Sequence, residues 1–460
     1  MADVIMPKMG DAMTEGTLLN WLKPDGAPVK AGETIAEIET DKSNVEVEAE
    51  NEGVLAIQVQ VGQTVPVGAV IATIGGSSNG ASAPVQAPVE AASSSNGHSS
   101  SNGYAPQAAA VISQTPVQLS KPASTTQKYV GETVHVKYSE GIRMALQEEL
   151  DRDEKVFLLG EEIGQYQGTF KITRDFLEKY GPERIVDTPI SEAGMVGLTT
   201  GAAMMGMRPV IEFMTLNFAL VAWDQIINHT AKILYMSGGQ YSIPCVLRGP
   251  GGVGVQLSAQ HSQDLAHWYA NTPGLKVVVP ATPADAKGLL KSAIRDNNPV
   301  VYTEHAGLYG SMGDVPTDPE FTIPIGVAEV KREGTDVTIV SYSRGTIISL
   351  AAAEQLAAEG ISAEVVDLRS LMPLDVETVI NSVKKTHRAV VVQEQWLYFG
   401  TAAEIAAQIT EGAFDYLDAP VERVAGAFVP MPYSRKLELL ATPHEPDVIA
   451  AVKRTLARTI

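Results

Sequence analysis

Asp187-Thr188-Pro189-Ile190-Ser191-Glu192-Ala193-Gly194 reads as the end of a strand, a turn and the start of a helix. Ala193, Gly194 and, a turn later, Gly197 are small enough for a partner to come close. On residues alone, Ser191-Glu192 merely begins that helix, where the dipole favours a carboxylate. The same alternation continues on both sides. Upstream, Ser139 is placed to cap a helix carrying Ile142, Leu146 and Leu150, and Val156-Phe157-Leu158-Leu159 follows as a buried strand. Downstream, Val210-Ile211-Glu212-Phe213, Pro244-Cys245-Val246-Leu247, Val277-Val278-Val279 and Val300-Val301-Tyr302 are short apolar runs separated by helical stretches. Past a loop near Gly310 to Pro324, a second series runs through Val337-Thr338-Ile339-Val340, Glu364-Val365-Val366-Asp367 and Ala389-Val390-Val391-Val392. Helices alternating with apolar strands predict a parallel sheet covered by helices, and the break between the series predicts two α/β domains, over 131–310 and 325–460.

A length of 460 residues leaves room for a further unit, and the N-terminal segment supplies it. Gly26-x-x-Val29-x-x-Gly32-x-x-Ile35-Ala36-x-Ile38 recurs as Gly62-x-x-Val65-x-x-Gly68-x-x-Ile71-Ala72-x-Ile74, and Glu15-Gly16-x-Leu18 recurs as Glu52-Gly53-x-Leu55. Two similar halves of short strands predict a small, pseudo-symmetric β-sandwich over 1–76. Between the halves, Asp41-Lys42-Ser43-Asn44 joins two alternating strands and puts Lys42 at a hairpin tip, where an arbitrary lysine is simply solvated. Residues 77–130 are rich in Ser, Ala, Pro, Gly, Asn and Gln, with Glu90 and Lys121 among their few charges, which predicts a linker without a core. Roughly fifty such residues span about 40 Å root-mean-square and on the order of 150 Å when stretched.

A net charge of −20 repels nucleic acid and anionic membrane surfaces, so neither is expected as a partner. The one cysteine, Cys245, forms no internal disulfide and supports no zinc framework. No basic start leads into an apolar run and no long apolar stretch occurs, so the expected setting is cytoplasmic. Gly249-Pro250-Gly251-Gly252-Val253-Gly254 follows a strand and matches a dinucleotide fingerprint, yet no clear helix starts inside it and no acidic residue ends a following strand at the right distance. It reads better as a loop that positions Gln260-His261-Ser262-Gln263.

Residues 1–76 resemble a lipoyl domain, whose DKS or DKA turn lysine is amidated by lipoic acid. Lys42 is the matching residue, and the Met-Lys-Met turn usual in biotin carriers is absent. From Val134 to Ile460 the chain resembles the β subunits of the thiamine-diphosphate-dependent 2-oxoacid dehydrogenases, the pyruvate type most closely. That resemblance rests on Leu159-Gly160-Glu161-Glu162, on Asp187 to Glu192, on Glu212-Phe213-Met214-Thr215, on Arg248-Gly249-Pro250, on Ala259-Gln260-His261-Ser262-Gln263 and on Lys291 to Pro299. It implies a thiamine-pyrimidine-binding domain followed by a transketolase C-terminal-like domain. It further implies that Glu192 bonds a ring nitrogen of the cofactor's aminopyrimidine and that Ile190, Met214 and Phe218 wall that ring. Without the family, these three are ordinary core residues.

By the same resemblance, His261 lies near the reacting carbon and assists acyl transfer to a lipoyl disulfide; on its own it is equally a loop histidine holding a turn. Glu161 matches an acidic group of a tunnel between paired cofactors. Cys245, Ala293, Ile294, Asp296 and Asn298 match positions whose backbone carbonyls hold potassium in some relatives. The Gly-Asp-Gly motif that holds the diphosphate through magnesium is absent. The resemblance therefore implies half a cofactor site, completed by an α subunit in an α2β2 assembly. That assembly would work on pyruvate with a dihydrolipoyl acyltransferase core and a dihydrolipoyl dehydrogenase. Rival readings are a branched-chain or acetoin-type β subunit, a non-catalytic lipoyl carrier or scaffold, and the acyltransferase itself, whose His-x-x-x-Asp-Gly motif is missing.

Overall fold

The computed structural model describes residues 2–7, 15–39, 44–75 and 129–458, which form two compact units. Lys42 and the expected linker up to residue 128 lie outside the described residues.

The N-terminal unit has eight strands: β1 (Ala2–Ile5), β2 (Glu15–Trp21), β3 (Pro28–Val29), β4 (Thr34–Glu39), β5 (Asn44–Glu48), β6 (Gly53–Ile57), β7 (Thr64–Pro66) and β8 (Val70–Ile74). They pair antiparallel into two sheets of order β1-β8-β6-β3 and β5-β4-β2-β7. Advancing every strand by half of the repeat converts one order into the other, so the duplication in the sequence is a twofold symmetry of the fold. The repeated glycines explain why the pattern needs them: Gly26 and Gly62 have φ of +80° and +86°, Gly32 and Gly68 +80° and +85°. Their amides make equivalent bonds, Gly26 N–H to Leu55 O and Gly62 N–H to Leu18 O, both at 2.7 Å. The repeated Leu18 and Leu55, with Ile35, Ile38, Ile71 and Met6, fill the core between the sheets.

The second unit holds both α/β series. Its larger sheet runs Ile185–Asp187, Val156–Gly160, Arg208–Glu212, Val246–Gly251, Val300–His305, Lys276–Val278, all parallel, and ends on Ser370–Met372, which is antiparallel. The second sheet runs Glu329–Arg332, Ala363–Asp367, Val337–Ser341, Ala389–Trp396, Glu422–Gly426, antiparallel only at its first strand. Helices Tyr138–Arg152 and Pro283–Arg295 cover one face of the larger sheet, burying Ile142, Leu146, Leu150, Leu289 and Leu290. Each such leucine or isoleucine contributes about 1.5–3 kcal/mol. On the other face, Leu159, Ile211 and Val277 share one apolar cluster with Val340, Val366 and Leu368 of the second series, which fastens the domains together.

Three local expectations shift. The first helix begins at Tyr138, so Ser139 lies inside its first turn; the orphan amides of Tyr138 and Ser139 are taken by the carbonyls of Ser311 and Tyr309 instead of a capping side chain. The strand expected from Pro244 begins at Val246 and continues through Gly249-Pro250-Gly251, so half of the glycine-rich motif is strand. The loop proper starts at Gly252. No described helix is long and apolar enough to cross a membrane.

Candidate active site at the carboxyl ends of the parallel strands

In a parallel sheet with crossover helices, the loops that leave the carboxyl ends of the strands converge, and ligands bind there. Glu161 stands just beyond one strand end, Asp187 ends a second, Met214 lies just past a third, and Gly251 and His305 end two more. Register puts Gly160 opposite both Asp187 and Glu212, and Glu212 opposite Arg248.

Asp187 fixes this edge. Its carboxylate accepts the amides of Gly164 at 2.6 Å and Gln165 at 2.9 Å, while Thr188 N–H donates to Gly160 O at 3.0 Å. The loop after Gly160 is thus stapled to the turn that leads into helix Glu192–Met204. Glu192 is the first residue of that helix, at 7% exposure, and its carboxylate accepts no hydrogen bond from the described residues. Glu161 is equally buried, at 7%, and its Oε1 has no partner. Burial first, then the neighbouring Glu192 and Glu162 carboxylates, push the Glu161 carboxyl above the usual range. Two adjacent glutamates of low exposure whose carboxylates have no donors among the described residues fit a ligand that brings N–H groups or positive charge. A protonated or amino-substituted heterocycle such as an aminopyrimidine meets that requirement.

Ile190 is 82% exposed on the turn before Glu192, so it is not ordinary core. Met214 and Phe218 are half-buried and line a cleft of 330 Å³ together with His261, Phe170, Val255 and Leu257. The Phe218 and His261 rings meet edge to face, with centroids 4.9 Å apart. The structure therefore joins Met214, Phe218 and His261 in one cleft and sets Glu161 beside Glu192. Ile190, Glu161 and Glu192 do not line that cleft.

Four of the five carbonyls matched to potassium, those of Cys245, Ala293, Ile294 and Asp296, are engaged within the chain. Arg208 Nη1 donates to Ile294 O and Asp296 O at 3.0 Å each, and Nη2 to Asn297 Oδ1 at 2.6 Å. Cys245 O accepts Val300 N–H at 3.0 Å, and Ala293 O accepts Asp296 N–H at 3.3 Å. The Asp296 carboxylate takes the Asn298 amide at 2.8 Å and pairs with Lys276. The Ile294 and Asp296 carbonyls make a socket for the Arg208 guanidinium, and an ion would have to share the second lone pairs of these four carbonyls. Burial pushes the Cys245 thiol up to about 12, so it is an inert apolar neighbour.

Sequence reasoning missed one further group here. Arg248, at 1% exposure, lies between Glu212 and Glu304, giving Nε to Glu304 Oε1 at 2.6 Å and Nη2 to Glu304 Oε2 at 2.9 Å, and Tyr309 donates to the same carboxylate at 2.6 Å. Its position in a sequence match gave no sign of burial; only the register of three neighbouring strands shows it.

Comparison with known proteins agrees with this fold. The family profile described as "Transketolase, pyrimidine binding domain" matches residues 134–311, "Transketolase, C-terminal domain" matches 326–448, and "Biotin-requiring enzyme" matches 2–74. The chain is 45% identical to the pyruvate dehydrogenase E1 component subunit beta of Rhizobium meliloti, over 98% of each chain. It is 54% identical to the mitochondrial subunit of the same name from Dictyostelium discoideum, over 71% of this chain and 92% of that one. Among solved structures, a split-gene transketolase described as an inactive beta4 tetramer superimposes with a TM-score of 0.57 at 25% identity, covering 72% of this chain and all of its own. A transketolase mutant from Pichia stipitis shares the fold, with a TM-score of 0.52 at 14% identity over 71% of this chain and 47% of that one. Matched almost end to end by a relative of that name and carrying both transketolase-type domains, this protein belongs to the family of pyruvate dehydrogenase E1 β subunits, with a domain of the biotin and lipoyl type at its N-terminus.

Proposed function

We propose that this chain is the β half of a pyruvate dehydrogenase, acting with an α subunit as α2β2 to decarboxylate pyruvate and pass the acetyl group to a lipoyl arm. The observation that carries the reading is Glu192, 7% exposed and next to Glu161 at the strand ends, with no donor to its carboxylate among the described residues. Thiamine diphosphate, when bound, supplies the carbon that attacks the 2-oxo group and the positive ring that accepts the electrons left by carbon dioxide. Glu192 holds a proton at a ring nitrogen of the aminopyrimidine, in a low-dielectric site that strengthens that bond. Glu161, with its raised carboxyl, is placed to carry a proton next to Glu192. Ile190, Met214 and Phe218 give the heterocycle apolar walls that exclude water. His261, in the wall of the cleft, delivers a proton to the dithiolane sulfur released as the other sulfur takes the acetyl group.

The residues that hold magnesium and the diphosphate belong, on this reading, to the α subunit. Lys42 carries the lipoyl group, and the acetyl group moves on to a dihydrolipoyl acyltransferase core whose arms are reoxidised by a dihydrolipoyl dehydrogenase. A tethered lipoyl domain reaches its target at a high effective concentration. The near full-length bacterial relative supports a cytoplasmic setting. The test is thiamine-diphosphate-dependent decarboxylation of pyruvate and of a branched 2-oxoacid, by the full chain alone and co-expressed with its native partner. Activity with pyruvate only when the partner is present is the expected result. Activity of the isolated chain overturns the half-site, and preference for the branched acid replaces the substrate.

A further inference from the structure

The segment that carries His261 leaves strand Val246–Gly251 in a conformation that polypeptide rarely adopts. Gly252, Gly254, Gln256 and Ser258 all have positive φ, at +80°, +92°, +58° and +66°. Left-handed backbone at alternate residues, two of them not glycine, persists only where the surroundings over-determine it. From within the segment come two bonds, Gly252 N–H to Gln263 O at 3.1 Å and His261 N–H to Ser258 O at 3.3 Å. From the second domain comes a side chain. Oε1 of Glu438, on helix Arg435–Ala441, accepts both Gly254 N–H and Gln256 N–H at 3.1 Å. Beside it, Val253 is buried against Met431 and Ala441. The amides of 254 and 256 thus turn to Glu438, while the intervening Val255 and Leu257 line the cleft with His261.

Glu438 is 2% exposed, and no lysine, arginine or histidine among the described residues pairs with it. A carboxylate buried without a counter-cation is costly, and this one spends its hydrogen bonding on the segment. We infer that Glu438 is a positioning residue: from the second domain it holds the 252–261 segment in the one conformation that presents His261 to the acyl group. The inference rests on the reading of His261 given above.

The test uses the full chain co-expressed with its native α partner, as Glu438→Ala, Glu438→Gln and His261→Ala. Three quantities are read: kcat for reductive acetylation of a free lipoyl domain, pyruvate decarboxylation coupled to ferricyanide, and amide exchange across 252–261. Glu438→Ala is expected to speed exchange in the segment and lower lipoyl acetylation about 10- to 100-fold, with the ferricyanide rate and the KM for pyruvate within about threefold. Glu438→Gln keeps an acceptor oxygen for both amides and is expected to retain most of the transfer rate. Unchanged exchange and transfer in Glu438→Ala overturns the inference. So does an equal fall in both reactions, which marks a merely structural residue, or a Gln variant as damaged as the Ala variant. Should Glu438→Ala fail to assemble, Glu438→Asp, which withdraws the oxygen while keeping the charge, replaces it under the same criteria. If His261→Ala transfers acetyl groups normally while Glu438→Ala still frees the segment, the role of His261 fails and the pin on the loop stands.

Discussion

Two pairs of glutamates of low exposure sit at the carboxyl ends of one sheet and differ in what partners them. Glu212 and Glu304 share the Arg248 guanidinium and are closed within the chain; Glu161 and Glu192 share nothing but each other. In the first pair the counter-charge is internal, so the cluster ties three neighbouring strands together. In the second it is missing among the described residues, as the proposed cofactor site requires. A buried charge is a structural element when the chain supplies its partner, and a binding site when it does not.

The comparison breaks most sharply at its closed side. Arg248→Ala leaves two carboxylates buried without a cation and is expected to cost about 3–5 kcal/mol of stability, measured by denaturant unfolding. A loss under about 1 kcal/mol would mean the cluster is already reached by solvent. On the open side the sign reverses. Because the Glu161 carboxyl is raised in the folded chain, its favourable contribution is present at acid pH and disappears as pH rises through its folded-state value. Glu161→Gln should therefore match the parent in melting temperature near pH 4 and exceed it at pH 8, and a gap that narrows with rising pH contradicts the assignment. The smallest effect concerns the Arg208 socket. Since Arg208 already bonds the Ile294 and Asp296 carbonyls and backbone amides bond those of Cys245 and Ala293, exchanging potassium for choline should move the melting temperature by less than about 2 °C. A larger, potassium-specific shift would show that the ion shares the carbonyls with Arg208.

The fold was legible wherever the signal is local. The duplicated Gly-x-x-Val-x-x-Gly pattern works because left-handed turns recur at the same place in each half, and the apolar triplets and quartets of the second unit are strands because both faces of a parallel sheet are covered. Part of the site shared that locality: Asp187 to Glu192 is one strand, turn and helix start, and it lands where the sequence puts it. The cleft did not. Met214, Phe218 and His261 are brought together by strand order, and residue types alone leave them indistinguishable from core. Arg248, Arg208 and Glu438 were missed for the same reason. Each acts on groups dozens of residues or more away, and nothing in the sequence separates a buried, partnered charge from a solvated one. Ser139 errs in the other direction, since a capping residue is superfluous where neighbouring carbonyls already take the first amides.

The most direct test of the open carboxylate pair is turnover and melting temperature of Glu192→Gln in the α2β2 assembly. If the carboxylate exists to bond a cofactor, kcat falls by about 10²–10⁴ while the melting temperature of the cofactor-free assembly holds, because Glu192 has no hydrogen-bond partner among the described residues to lose. A near-normal kcat, or a loss of activity matched by a loss of folded protein, contradicts the account.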